Sequence, residues 1–281
     1  MADTKQLVEL IEKLAKDAGG KPMVVNFADG NHATEYTAET LADPAVLAVL
    51  KKSGFNTIVV EGTHADGMRG AYDSIRKKVA ENKSYSIDDL ANDIKSSPEE
   101  LDSKIKLLIN AAKQSMELVF PDNAMVAGSK GQLSENSMDI AVFLKEQSVK
   151  ISKGRKECAG VVWDELINRI PEEKRVNFID ELRTKRLGDN APSNEPVIEA
   201  INKATKSGKN VAVVYGAEHF KAFKDINDGE IAKHKPVIYI ATNDDMRRKY
   251  WDSMQQFPEY RYDPEIGEAS KFNLEQISAA H

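Results

Sequence analysis

Three short apolar runs, each breaking off into glycine and ionisable residues, constrain the fold of this chain more than any other feature. Val24-Val25-Asn26-Phe27 leads into Ala28-Asp29-Gly30-Asn31-His32, and Thr57-Ile58-Val59-Val60 leads into Glu61-Gly62-Thr63-His64. The third run, Val211-Ala212-Val213-Val214-Tyr215, leads into Gly216-Ala217-Glu218-His219. β-Branched runs with little polar alternation suit strands covered on both faces, as in a parallel sheet. The first two runs flank a helix expected over 43–53, with Asp43 as its cap, Pro44 at its first position and Ser53-Gly54 as its stop. Strand, helix and strand in succession make a βαβ unit with parallel strands and a right-handed crossover.

Helical periodicity dominates from 66 to 207. Between Leu101 and Phe120, the residues Ile105, Leu108, Ile109, Ala112, Met116 and Val119 fall on one stripe, which predicts a helix ending at Pro121. Further helices are expected over 133–150, 158–169, 173–186 and 194–207. The third strand follows at 210–215, and Pro236 to Ile240 makes a fourth; Phe257 to Asp263 shows no clear period. The expected fold is α/β, a single domain over 1–281. Its central sheet is mostly parallel and flanked by helices. A long helical insertion, 66–207, separates the second and third core strands and could serve as a lid or recognition subdomain.

With 281 residues, 41% of them hydrophobic, the chain can bury a large core. Charged residues of both signs are interspersed, and the net charge is −6, which gives no basis for bulk affinity to nucleic acid or anionic membrane. No apolar run approaches the roughly 18 residues of a membrane span, and Met1 to Asp17 lacks the uninterrupted apolar segment of a secretory signal. The single cysteine, Cys158, rules out an intrachain disulfide and suits a reducing compartment. A cytoplasmic location, or delivery into a host cytosol, is expected. Gly-x-Gly-x-x-Gly, Gly-x-x-x-x-Gly-Lys-Ser/Thr, Gly-x-Ser-x-Gly, Cys-x-x-Cys and His-Glu-x-x-His are all missing from the sequence. Nucleotide binding, serine hydrolysis and ordinary zinc-protease chemistry therefore have no sequence support.

In open α/β sheets, ligands sit beyond the carboxyl ends of the strands. Three of the five histidines stand at three such ends, each near a carboxylate. Asp29 and His32 flank Gly30, and a carboxylate beside an imidazole fixes its tautomer and raises its basicity. Glu61 directly follows four apolar or β-branched residues, so partial desolvation at the sheet rim would move its carboxyl toward acid–base use. Any one of these motifs alone is commonly a turn or a solvated rim residue; on neighbouring parallel strands they can face one pocket. Asp29, His32, Glu61, His64, Glu218 and His219 also supply nitrogen and oxygen donors for a divalent ion such as Mn²⁺ or Zn²⁺. No two of the histidines have the i, i+4 spacing that fixes a tight site on a helix, so metal-free chemistry is the first expectation.

At these same residues the chain resembles the erythromycin-esterase/ChaN/TraB–Tiki superfamily. Ala28-Asp29-Gly30-Asn31-His32-Ala33-Thr34 is similar to the Gly-Glu-x-x-His-Gly-Thr opening of the esterases, with Asp29 where Glu is usual. Gly54-Phe55-Asn56-Thr57-Ile58-Val59-Val60-Glu61-Gly62 resembles the second element, and Gly216-Ala217-Glu218-His219-Phe220 the late Gly-x-x-His. The resemblance covers the βαβ unit and 210–240 but hardly reaches the insertion. It implies an α/β fold with a catalytic cluster of Asp29, His32, Glu61 and His219, supported by His64, Glu218 and an arginine, for which Arg155, Arg175 and Arg183 are candidates. The implied activity is hydrolysis of an amide or ester bond, in a partner protein or a small molecule. The peptide bond of a partner protein leads, as in a toxin- or effector-type endopeptidase. The alternative it carries is a non-catalytic haem- or metal-binding protein.

Overall fold

The structure is a computed structural model, and it describes residues 3–29, 36–61, 65–98, 101, 103–121, 195–216, 235–242 and 259–272. The described residues form seven helices and one seven-stranded sheet. The chain opens with α1 (Lys5–Asp17), whose Leu7, Ile11 and Leu14 fall on one stripe and are buried. Strand β1 (Val24–Asp29) follows, then α2 (Tyr36–Ala42), α3 (Pro44–Lys52) and β2 (Phe55–Val60). Helix α3 begins as its sequence demands: the Asp43 carboxylate accepts a hydrogen bond from the Ala45 N–H at 2.7 Å, and Pro44 occupies the first turn. It ends at Ser53, where Gly54 turns the chain with φ of 84°. A side chain would be strained in that conformation.

Next come α4 (Ala65–Glu81), α5 (Ile87–Ile94), α6 (Ser103–Lys113) and β3 (Glu117–Val119). Helix α5 starts in a capping box between Ser86 and Asp89, which satisfies N–H groups the helix itself cannot pair. Its Asp93 accepts hydrogen bonds from Lys78 of α4 and from Tyr85. The remaining described elements are α7 (Glu195–Lys206), β4 (Asn210–Gly216), β5 (Val237–Ile240), β6 (Tyr260–Asp263) and β7 (Glu268–Lys271).

The strand order is β3-β2-β4-β1-β5-β6-β7, with every neighbouring pair parallel except β6–β7. The two strands of the first βαβ unit are thus parallel but not adjacent, because β4 lies between them. Period-2 alternation sorts side chains to two faces. One face, with Val25, Phe27, Ile58, Val60, Ala212, Val214, Ile238 and Ile240, belongs to a core that also takes in residues of α1 to α6. The other, with Val24, Ala28, Val59, Val213, Tyr215 and Tyr239, packs with Val197 and Ile201 of α7. Each large apolar side chain buried this way contributes about 1.5–3 kcal/mol relative to exposure.

One expectation is corrected here. The helix predicted over Leu101 to Phe120 stops at Lys113. Ser115 takes a left-handed conformation (φ 52°), the Met116 N–H returns to the Ala111 carbonyl at 3.0 Å, and the chain leaves as β3. Met116, Leu118 and Phe120 are buried in strand alternation, while Glu117 between them is exposed. Met116 happens to satisfy a helical stripe as well, which is why periodicity alone ran the helix through. The stretch toward Asp263, where the sequence shows no clear period, contains strand β6, stabilised by parallel pairing to β5 and a hairpin to β7. The predicted helix over 194–207 appears as α7, and the third and fourth strands appear as β4 and β5. Within the expected insertion, α4, α5 and α6 pack into the main core; the helices expected over 133–150, 158–169 and 173–186 lie outside the described residues. No helix among the described residues is long and apolar enough to cross a membrane.

Candidate functional site

The three motif-bearing strands are neighbours, in the order β2-β4-β1, and all three point the same way. Their register aligns the ends. Asp29, the last residue of β1, is level with Gly216, the last residue of β4, and on its other side with Ile240 of β5. Val60 is level with Val214, and the Glu61 N–H donates to the Val214 carbonyl at 2.9 Å, so the parallel ladder runs one residue past β2. Glu61 therefore stands beside Tyr215. With strands about 4.8 Å apart, β2 and β1 are separated by about 10 Å across β4, a span that one small cleft can cover.

What holds this alignment lies at the opposite end of the strands. Asn210, the first residue of β4, accepts from the Met23 N–H just before β1 at 2.8 Å. Its side-chain amide donates to the Ser53 carbonyl just before β2, also at 2.8 Å. One amide thus ties the starts of all three strands. Tight packing there is visible at Gly54, where an added Cβ would meet Asn210 Nδ2 at 3.3 Å. Asn56 is the extra residue of a register shift between Phe55 and Thr57, which sets β2 in phase with β4 from Thr57 onward.

Of the residues singled out from the sequence, the structure brings the backbone of Asp29 and the whole of Glu61 to the carboxyl ends of β1 and β2. His32, His64, Glu218, His219 and the arginine candidates Arg155, Arg175 and Arg183 lie outside the described residues. Glu61 is half-buried. The neighbouring Tyr215 is buried in the α7-side core, and its phenol is pushed well above its ordinary range by burial and then by the Glu61 carboxylate. It therefore remains a neutral O–H donor at any physiological pH. On the same face the row continues through Ala28 to Tyr239, since Ala28 is level with both tyrosines. Tyr215 carried no role in the sequence reading, because only the register reveals that it stands beside Glu61.

Two described residues that follow the first two motifs in sequence are tied to other elements. Tyr36, the first residue of α2, donates from its hydroxyl to Glu265 at 3.3 Å, in the turn between β6 and β7. Arg69 of α4 donates from Nε to the Phe120 carbonyl at 3.2 Å, just beyond β3. A half-buried carboxylate at a strand end can accept a proton from water, and an imidazole can deliver one to a leaving group. The same donor types could hold a divalent ion.

No protein-family model and no curated protein matches the chain. Among solved structures, the type III effector HopBA1 is similar to it with a TM-score of 0.32 and 14% sequence identity, over 90% of this chain and 87% of that one.

Proposed function

We propose that this chain is a hydrolase of an amide or ester bond, with a peptide bond in a partner protein as its leading substrate. One observation carries the proposal: three ionisable motifs leave three adjacent parallel strands at the same end, where α/β sheets bind ligands. Glu61 or His32 takes a proton from water, and the resulting hydroxide attacks the carbonyl carbon to give a tetrahedral oxyanion. His219 stabilises that species or protonates the departing nitrogen or oxygen as its bond to carbon breaks, leaving a carboxylate and a free amine or alcohol. Asp29 orients His32, with His64, Glu218 and Arg155 in support. A reducing cytosol, the chain's own or that of a recipient cell, suits a protein with one cysteine.

The test is a search for new amino termini in a cytosolic extract treated with the full chain or with its His219→Ala variant. New termini in the first sample and none in the second are expected. Identical termini in both would remove His219 from the chemistry, and a lack of new termini with the unaltered chain would argue against a peptide substrate.

A further inference from the structure

We infer that Arg261 is a specificity-determining residue that binds a carboxylate of the substrate, so that the preferred peptide carries an acidic side chain at a fixed distance from the cleaved bond. The inference deepens the proposed hydrolysis, on which it rests. Arg261 lies in β6, which runs parallel to β5 and so reaches the same end of the sheet as the three motifs. Two hydrogen bonds place its guanidinium at that end. Nε donates to the carbonyl of Ala241, the residue after β5, at 3.1 Å. Nη2 donates to Asp263, the last residue of β6, at 2.7 Å. Tyr262 packs into the core shared with α1 to α6, whereas Arg261 is level with Tyr239 of the α7-side core. Alternation therefore turns Arg261 to the α7 face, the face that Glu61 takes two residues after Val59.

The arrangement fixes a fork and leaves its outer edge open. Asp263 is buried, and its other oxygen accepts from the Glu265 N–H at 2.9 Å, so the carboxylate that holds the arginine is itself held. The two bonds use Nε and one proton of Nη2, and Arg261 makes no further hydrogen bond among the described residues. Its Nη1 and outer Nη2 protons match the two oxygens of a carboxylate, and 20% of the side chain is exposed, enough for a ligand to reach it. Because Asp263 balances the charge, recognition comes from the directed bonds of the fork and not from bulk attraction, and a lysine could not supply them. From β4, the middle strand of the three motifs, to β6 is three strand spacings, about 14 Å. An extended peptide crosses that distance in about four residues.

Fluorescein-labelled hexaglutamate and hexaglutamine peptides serve as probes, and their binding to the full chain, Arg261→Gln and Arg261→Lys is followed by anisotropy. Hexaglutamate should bind the unaltered chain and lose about tenfold or more in affinity with Arg261→Gln, since a bidentate contact between charged groups is removed. Arg261→Lys keeps the charge without the fork and should lose nearly as much. Hexaglutamine should bind all three chains equally weakly, whereas a purely structural Arg261 would make both probes weaken together. Equal hexaglutamate affinity in the three chains, or none in the unaltered one, would overturn the inference. A second measurement needs no variant. The new amino termini formed in a treated extract should place Asp or Glu about four residues from the cleaved bond, and an even spread of acidic residues would count against Arg261 just as firmly. Binding that depends on Arg261 in a protein that cleaves nothing would leave the carboxylate site standing and sink the proposed hydrolysis alone.

Discussion

Glu61 stands where the sheet stops being apolar: four residues of β2 before it are buried, and it is half-exposed. A carboxylate in that position either solvates the rim or does chemistry, and substitution separates the two. Glu61→Gln preserves size and hydrogen-bonding shape but cannot take a proton. If Glu61 is a general base, the variant should cleave its substrate about 10² to 10⁴ times more slowly with an unchanged melting temperature. Full activity would remove Glu61 from the mechanism. At this scale the sequence was informative wherever a residue announces its own surroundings. Glu61 does so by following a β-branched run, and Asp43 and Gly54 do so by cap and turn chemistry. Tyr215 and Asn210 announce nothing alone, because their importance comes from residues about 150 or more positions away in the chain.

Elements follow the same division. Helices α1, α3 and α7 carry stripes, caps or stops within their own residues, and strands β1, β2, β4 and β5 are continuous apolar runs. All of these were legible. Strand β3 is only three residues long; its buried Leu118 alternates with buried Met116 and Phe120 on either side, and Met116 and Val119 also lie on a helical stripe. Strand β6 is half polar and owes its conformation to pairing on both sides. Tertiary pairing decides such segments, and local pattern cannot. Asn210 makes the element-scale prediction. It joins β4 to the starts of β1 and β2 at the end remote from Glu61, so Asn210→Ala should destabilise the fold by about 1–3 kcal/mol, the loss of two part-buried hydrogen bonds to backbone groups. Denaturant unfolding would read that loss. Activity per folded molecule should persist, and a fully active site with no loss of stability would show that the clamp is not what fixes the register.

For the molecule as a whole, the decisive feature is the order of the strands. Placing β4 between β1 and β2 brings the Gly216 motif, more than 150 residues later in the chain, between the Asp29 and Glu61 motifs. Motif content and parallel strands could be read from the sequence, but strand order could not, because it depends on how the intervening helices divide between the two faces. The proposed hydrolysis assigns proton transfer to carboxylate and imidazole side chains. Hydrolysis should therefore survive EDTA and follow a bell-shaped pH profile set by one carboxyl and one imidazole. Loss with chelator and recovery with Mn²⁺ or Zn²⁺ would show instead that an ion carries the reaction. The proposed function requires that the segments following β1 and β4 converge on one cleft. That convergence can be measured directly in a Cys158→Ser chain carrying both His32→Cys and His219→Cys, treated with dibromobimane, which becomes fluorescent when both arms are alkylated. Adjacent strand ends about 5 Å apart predict efficient intramolecular crosslinking in the folded protein and its loss in denaturant. Two cysteines that alkylate separately in the folded protein, with no crosslink formed, would contradict the convergence of the two motifs on one site.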